Sequence, residues 1–160
     1  MSTDLNNWLM ILLILALGYL ALTAQWQVLV AVVPRFVEQC RIAYARPILA
    51  TVLGLVVWAP CLFAAIAVFK LQLPLAIFVL TPPCLLAVGG ASGLALRIGD
   101  GLADANDVEH PAQRVQRGGR VLALAMFMPL VGWLVLFPWL ALSGAGAAVL
   151  SLVTRRLSVD

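Results

Sequence analysis

The sequence predicts an all-α, polytopic helical membrane protein. Of its 160 residues, 64% are apolar and 11% are charged, whereas soluble domains carry about 25% charged residues. Four runs without charge lie at residues 8–34, 47–69, 71–96 and 121–154, and each reaches the ~20 residues that cross a hydrocarbon core of ~30 Å. A water-soluble fold of this length could not bury so much apolar surface, so four to five transmembrane helices are expected.

The positions of the basic residues predict the orientation and the number of crossings. Three arginines follow the first run, four lie after the third run, two follow the last run, and Lys70 stands apart. Lys and Arg concentrate in cytoplasmic loops. If residues 121–154 cross twice, nine of the ten basic residues become cytoplasmic, and if they cross once, seven do. Five helices are therefore favoured, with the N-terminus outside and the C-terminus in the cytoplasm.

Residues 1–34 form an N-terminal transmembrane anchor. No basic residue precedes this apolar run, and its length exceeds the 7–15 residues of a signal peptide, so it is interpreted as a retained helix that Pro34 ends. In residues 35–46, the positions Phe36, Val37, Cys40 and Tyr44 recur at helical spacing between charged residues. This pattern predicts a short amphipathic helix in the membrane interface, with a partner-binding helix as the alternative.

Residues 47–96 are predicted to form a transmembrane hairpin around a tight turn at Lys70. Pro60 lies inside its first helix, and Pro82 with Pro83 inside its second. Adjacent prolines remove two backbone donors and clash with the preceding turn, so this helix is expected to be sharply kinked or split. Toward its end, Gly89 and Gly93 have the small-xxx-small spacing that lets another helix approach closely.

Residues 97–120 are expected to be a polar cytoplasmic loop. Its acids come first and its arginines later, so two interpretations are open. The loop folds back through its own ion pairs, or Arg114, Arg117 and Arg120 face anionic lipid headgroups. The acidic residues of this loop and the sole histidine are Asp100, Asp104, Asp107, Glu109 and His110. Their spacing does not match that of a calcium-binding loop, and no metal or cofactor is expected.

Residues 121–154 allow three interpretations, because their 34 residues would make about 51 Å of helix, more than one crossing of a ~30 Å core needs. A second transmembrane hairpin with a turn near residues 137–139 is favoured, followed by a cytoplasmic tail at residues 155–160. A re-entrant turn at 128–133, "MPLVGW", before a single crossing is the second interpretation. One long kinked helix is the third.

Several function classes are disfavoured by what the runs lack. None contains Asp, Glu, Lys, Arg or His, although proton-coupled carriers, pumps and charged pores keep ionisable groups at depth. The serines and cysteines have no base in the same segment, so no enzymatic activity is expected. The basic residues form no soluble face, so nucleic acid is not an expected partner.

Four segments, "RPILATVLG", "LQLPLAI", "MPLVGWLV" and "LSGAGAAVLSL", are similar in order and spacing to the C-terminal membrane module of some bactofilin-type polymer-forming cytoskeletal proteins. The similarity covers about residues 46–156. The polymerising β-helical domain of those proteins is absent, and residues 8–46 stand in its place. The resemblance implies a module of the bacterial inner membrane, without filament formation and without transferable functional residues.

The leading functional hypothesis is a non-enzymatic scaffold or accessory subunit of a membrane complex. It would pack through Gly89, Gly93, Gly144 and Ala148 against its own helices, another subunit or a second copy. The alternative is a carrier or channel for a neutral or lipidic solute, with a cavity at the proline breaks. The breaks are at Pro60, Pro82, Pro83 and Pro129.

Overall fold

The computed structural model describes residues 2–69, 73–102, 111–128 and 130–157. These residues form six α-helices and no strand, which confirms the all-α prediction. The helices are α1 Ser2–Val32, α2 Pro34–Ala43, α3 Pro47–Phe69, α4 Leu73–Gly101, α5 Pro111–Met126 and α6 Phe137–Leu157, and a π-helical segment, Gly132–Leu136, leads into α6.

Within the described ranges, four helices are long and apolar enough to cross a membrane. They are Leu5–Val32, Pro47–Phe69, Leu75–Gly101 and Gly132–Thr154. The protein is therefore a helical membrane protein at the lower end of the predicted range, and the favoured fifth span is not found. Its place is taken by α5, whose 16 residues make only about 24 Å of helix and include Arg114, Arg117 and Arg120.

Helix α5 and the π–α6 segment form a hairpin. Gly118 of α5 lies against Ala95 of α4, and Gly146 of α6 lies against Ala50 near the start of α3. Both ends of the hairpin are thus at one end of the bundle, which we call the arginine end because Arg41 and Arg114 also meet there. Among the described residues only the second limb contains a candidate membrane span, and the first limb starts at Pro111, inside the expected loop.

The described residues Phe127, Met128 and Leu130 belong to the turn of this hairpin, whereas the turn was predicted at residues 137–139. The Gly132 N–H donates to the Met128 carbonyl at 2.7 Å, so the chain reverses in the segment that the re-entrant interpretation named. Pro138 is instead the second residue of α6. The π-helical turn before it is wider than an α-helical turn, which relieves the clash of a proline ring with the carbonyl four residues earlier.

The prolines at depth do not interrupt their helices. Helix α3 is continuous through Pro60, and α4 is continuous through Pro82 and Pro83 instead of splitting there. In hydrocarbon no water replaces lost backbone hydrogen bonds. A continuous helix with two unpaired carbonyls therefore has a lower free energy than an irregular segment with many unpaired backbone groups. Pro129 lies outside the described residues.

Helix α2 packs inside the protein instead of lying only in the membrane interface. Pro34 is its first residue, and its apolar face buries Val37 and Cys40. A Cβ added at Gly93 of α4 would lie 2.5 Å from the Cys40 Cβ atom, and one at Gly89 would lie 3.1 Å from the Phe36 ring. The glycines therefore form the groove that receives α2, and the apolar face that suggested a partner-binding helix is covered by the chain itself.

The spans differ in how much the rest of the chain covers them. In the most apolar window of α1 only 6% of the residues are buried, compared with 39% for α4 and 44% for the last span. Trp26 of α1 is nevertheless only 1% exposed, because α5 packs on it at Gly119. Helix α1 is thus held near the arginine end and uncovered along its N-terminal half.

Candidate functional site: an apolar groove beside the first span

The small residues that the sequence singled out for packing are used within the chain. Gly89 and Gly93 receive α2, and a Cβ at Gly144 would lie 3.1 Å from the Ala87 carbonyl carbon. Ala148 is fully buried. These positions therefore join the chain's own helices, which was one of the two options predicted, and leave little surface there for another protein.

Three further glycines make even closer contacts, and the sequence analysis missed them. A Cβ at Gly54, Gly90 or Gly146 would overlap the backbone carbonyl of a neighbouring helix, at Leu142, Gly144 and Ala50 respectively. The available signal was the four-residue spacing of Ala50 and Gly54, which repeats the small-xxx-small pattern. Through these contacts α6 lies directly on α3 and α4.

An apolar groove lies where α1 leaves the bundle. One part has a volume of about 240 Å³ and reaches Trp58 on α3 and Cys84 on α4. The adjoining part has a volume of about 360 Å³ and reaches Trp133 in the π-helical segment. Three residues, Leu22, Met126 and Phe137, line both parts. Both volumes are comparable with the lower end of small-ligand pockets.

The groove is lined mainly by apolar side chains. The Trp58 indole N–H is already occupied, since it donates to the Ala141 carbonyl at 3.0 Å. Cys84 contributes an exposed thiol, and none of the residues that the structure assigns to the lining carries a charge. The groove suits an uncharged apolar chain and offers no group for acid–base chemistry.

Of the four prolines at which a cavity was predicted, Pro129 lies outside the described residues, and the other three, Pro60, Pro82 and Pro83, do not line the groove. The groove forms because Phe127 packs on Gly18 and Tyr19 of α1 while the chain turns back beside that contact.

The arginines predicted to face lipid headgroups have different environments. Arg114 donates to Asp100 at 2.9 Å, and Arg41 of α2 donates to the other oxygen of the same carboxylate at 2.8 Å. Arg41 also donates to Glu38, and this hydrogen bond to the Glu38 carboxylate, together with the charges of Glu38 and Asp100, raises the pKa of the Arg41 guanidinium. For Arg114 the ion-pair interpretation is therefore the one the structure supports, while Arg117 and Arg120 lie on exposed positions of α5.

Several nucleophilic side chains in the described part are buried or bound to backbone carbonyls. The Ser92 hydroxyl donates to the Gly89 carbonyl, and the Ser151 hydroxyl donates to the Ala148 carbonyl. Burial raises the pKa of the Cys40 thiol to about 11, so the thiol stays neutral near pH 7. No group of three or more metal-ligating side chains occurs among residues that the structure describes. Asp104, Asp107, Glu109 and His110 lie outside them.

No protein-family model matches the chain, and searches of curated proteins and of solved structures return no match. The resemblance to the bactofilin membrane module therefore rests on the quoted segments alone.

Proposed function

We propose that this chain is a non-enzymatic scaffold or accessory subunit of a membrane complex, and that its partner packs on the N-terminal half of α1. The observation that supports the proposal is the difference in burial between the two halves of α1. Trp26 is buried against α5, whereas large apolar side chains from Leu5 to Leu17 are exposed. A helix fixed at one end presents a preformed apolar surface, which lowers the ordering cost of binding.

Other surfaces support the proposal less well. The glycine faces of α4 and α6 are already filled by α2 and α3. The partner proposed for α1 is another membrane subunit or a second copy of the chain, and membrane lipids surround the complex. The resemblance to the bactofilin module favours the bacterial inner membrane, and the positions of the basic residues favour an orientation with the arginine end in the cytoplasm. The serines and cysteines of the uncharged runs have no base in the same segment, which argues against an enzyme.

Site-specific photocrosslinking tests the α1 surface. A photoreactive amino acid at Leu9 or Leu13 is expected to give one protein adduct of defined mass in native membranes. The matched controls are Phe63 and Ile66 of α3, which are at least as exposed and are expected to react with lipid only. Two differently tagged copies distinguish a second copy from another subunit. Protein adducts that are absent at α1, or equally abundant at α3, would contradict the proposal.

The groove favours a second candidate, a carrier for a neutral or lipidic solute. A lipid chain that enters the groove would lie beside Trp58. Phospholipids with brominated chains are therefore expected to quench the tryptophan fluorescence of a variant whose sole tryptophan is Trp58. Coupling a bulky maleimide to Cys84, with Cys40 and Cys61 replaced by Ala, fills the groove and should reduce that quenching. A variant with only Trp8, which is exposed on α1, serves as the control. If Trp58 fluorescence is quenched equally before and after the maleimide is coupled to Cys84, the result would count against this candidate.

A further inference from the structure

A second cleft lies at the arginine end, between α2, α3 and α6. It has a volume of about 420 Å³. Its wall combines the polar side chains of Gln39, Arg46 and Thr154 with the apolar side chains of Ile42, Leu49 and Leu150. Arg46 also lines a hollow of about 510 Å³ that includes Ile48 and Val52. Arg46 is therefore shared by two hollows at the start of a membrane span.

We propose that these hollows bind one anionic phospholipid, with its phosphate on Arg46 and one acyl chain in each hollow. Leu49 and Leu150 would contact one chain, and Ile48 and Val52 the other. The inference is independent of the proposed protein partner, because α1 contributes no residue to either hollow.

The charges around the cleft favour an anion. The carboxylates whose positions the structure describes are Glu38 and Asp100, and both are bound to Arg41 or Arg114. Arg46 thus has no carboxylate partner among the described side chains. A guanidinium matches the geometry of a phosphate.

The apolar walls favour a membrane lipid over a free phosphate. Ile48, Leu49 and Val52 are exposed and belong to the span Pro47–Phe69, so they face hydrocarbon when the protein is in a bilayer. A soluble anion would leave both hollows unfilled, whereas a two-chain lipid covers them and neutralises Arg46. Basic pockets between membrane helices bind acidic headgroups by this combination.

The test is native mass spectrometry of the full chain in mild detergent with added phosphatidylglycerol or phosphatidylcholine. Arg46→Gln is expected to weaken retention of phosphatidylglycerol by about fivefold, which corresponds to about 1 kcal/mol for one basic residue at an anionic surface. Arg35→Gln is the matched control, since Arg35 is exposed on α2 and does not line the cleft. Arg46→Lys should retain part of the affinity, because the charge remains.

Three results would overturn the proposal. An equal loss in Arg35→Gln would show a diffuse attraction to all the arginines. Equal retention of phosphatidylcholine would show that the charge does not select the lipid, and displacement by inorganic phosphate would show a site for soluble anions. Because Arg46 is exposed, its variants should unfold at the wild-type temperature, and this measurement separates lost binding from lost folding.

Discussion

Gly146→Ala is expected to prevent stable assembly of the bundle, whereas Gly101→Ala leaves it intact. A Cβ at Gly146 would overlap the Ala50 carbonyl and lie 2.6 Å from the Gly54 nitrogen. Both obstacles are backbone atoms of α3, so no side-chain rotation relieves them. Overpacking that flexible side chains absorb costs about 1–3 kcal/mol, and here α6 itself must move away from α3. We therefore expect a loss of about 3 kcal/mol or more.

Thermal unfolding and size-exclusion chromatography in mild detergent measure this effect. A Cβ at Gly101 would meet nothing within 4 Å, and one at Gly18 would make an ordinary contact at 3.5 Å with Phe127. Gly101→Ala and Gly18→Ala are therefore controls for the same chemical change. A Gly146→Ala variant that is monodisperse and unfolds at the wild-type temperature would show that α3 and α6 are not in direct backbone contact.

Reversing the charge of Asp100 is expected to have the second largest effect. Asp100 accepts from Arg41 of α2 and from Arg114 of α5, so Asp100→Lys places three cations together. Removing one partner of a fully buried ion pair costs 3–5 kcal/mol. Since the Asp100 side chain is 23% exposed, solvent screens part of this, and we expect a loss of about 2 kcal/mol.

A charge swap provides the specific control for this experiment. Asp100→Arg combined with Arg114→Asp restores a pair between α4 and α5, and should recover part of the unfolding temperature lost in Asp100→Lys. Arg35→Glu tests charge reversal on an exposed position of α2. Unfolding temperatures recorded at low and at moderate salt should converge, because salt weakens partly exposed pairs. If Asp100→Lys and Arg35→Glu lower stability equally, the ion pairs do not hold α5.

The first three spans were predictable because one local property defines them. The uncharged runs at residues 8–34, 47–69 and 71–96 correspond to α1, α3 and α4 within a few residues, and Pro47 marks the start of α3 as its chemistry requires. Helix α4 continues past Arg97 to Gly101 because its charged end finds partners on α2 and α5. Such pairing depends on residues distant in sequence, so composition alone indicated a loop there.

The polar start of α5 shows the same limit more sharply. Gly118 and Gly119 disfavour a helix in isolation, and the three arginines nearby are typical of a loop. In the structure these glycines allow contact with Ala95 on one side and Trp26 on the other, and this packing stabilises the helix. A periodic pattern shows that a face is apolar but not what covers it. For that reason α2 was placed in the interface, and the groove beside α1 was not predicted at all.

The position of Asp100 also implies an order of biosynthesis. Helix α5 carries three arginines in its 16 residues, and each would cost about 2.5–3.5 kcal/mol at the centre of a bilayer, so α5 is a poor substrate for insertion on its own. Its counter-ion lies on α4, which the ribosome completes first. We therefore expect the α5–α6 hairpin to enter the membrane as one unit after α4, so that α5 closes onto Trp26 of α1, which was translated long before it.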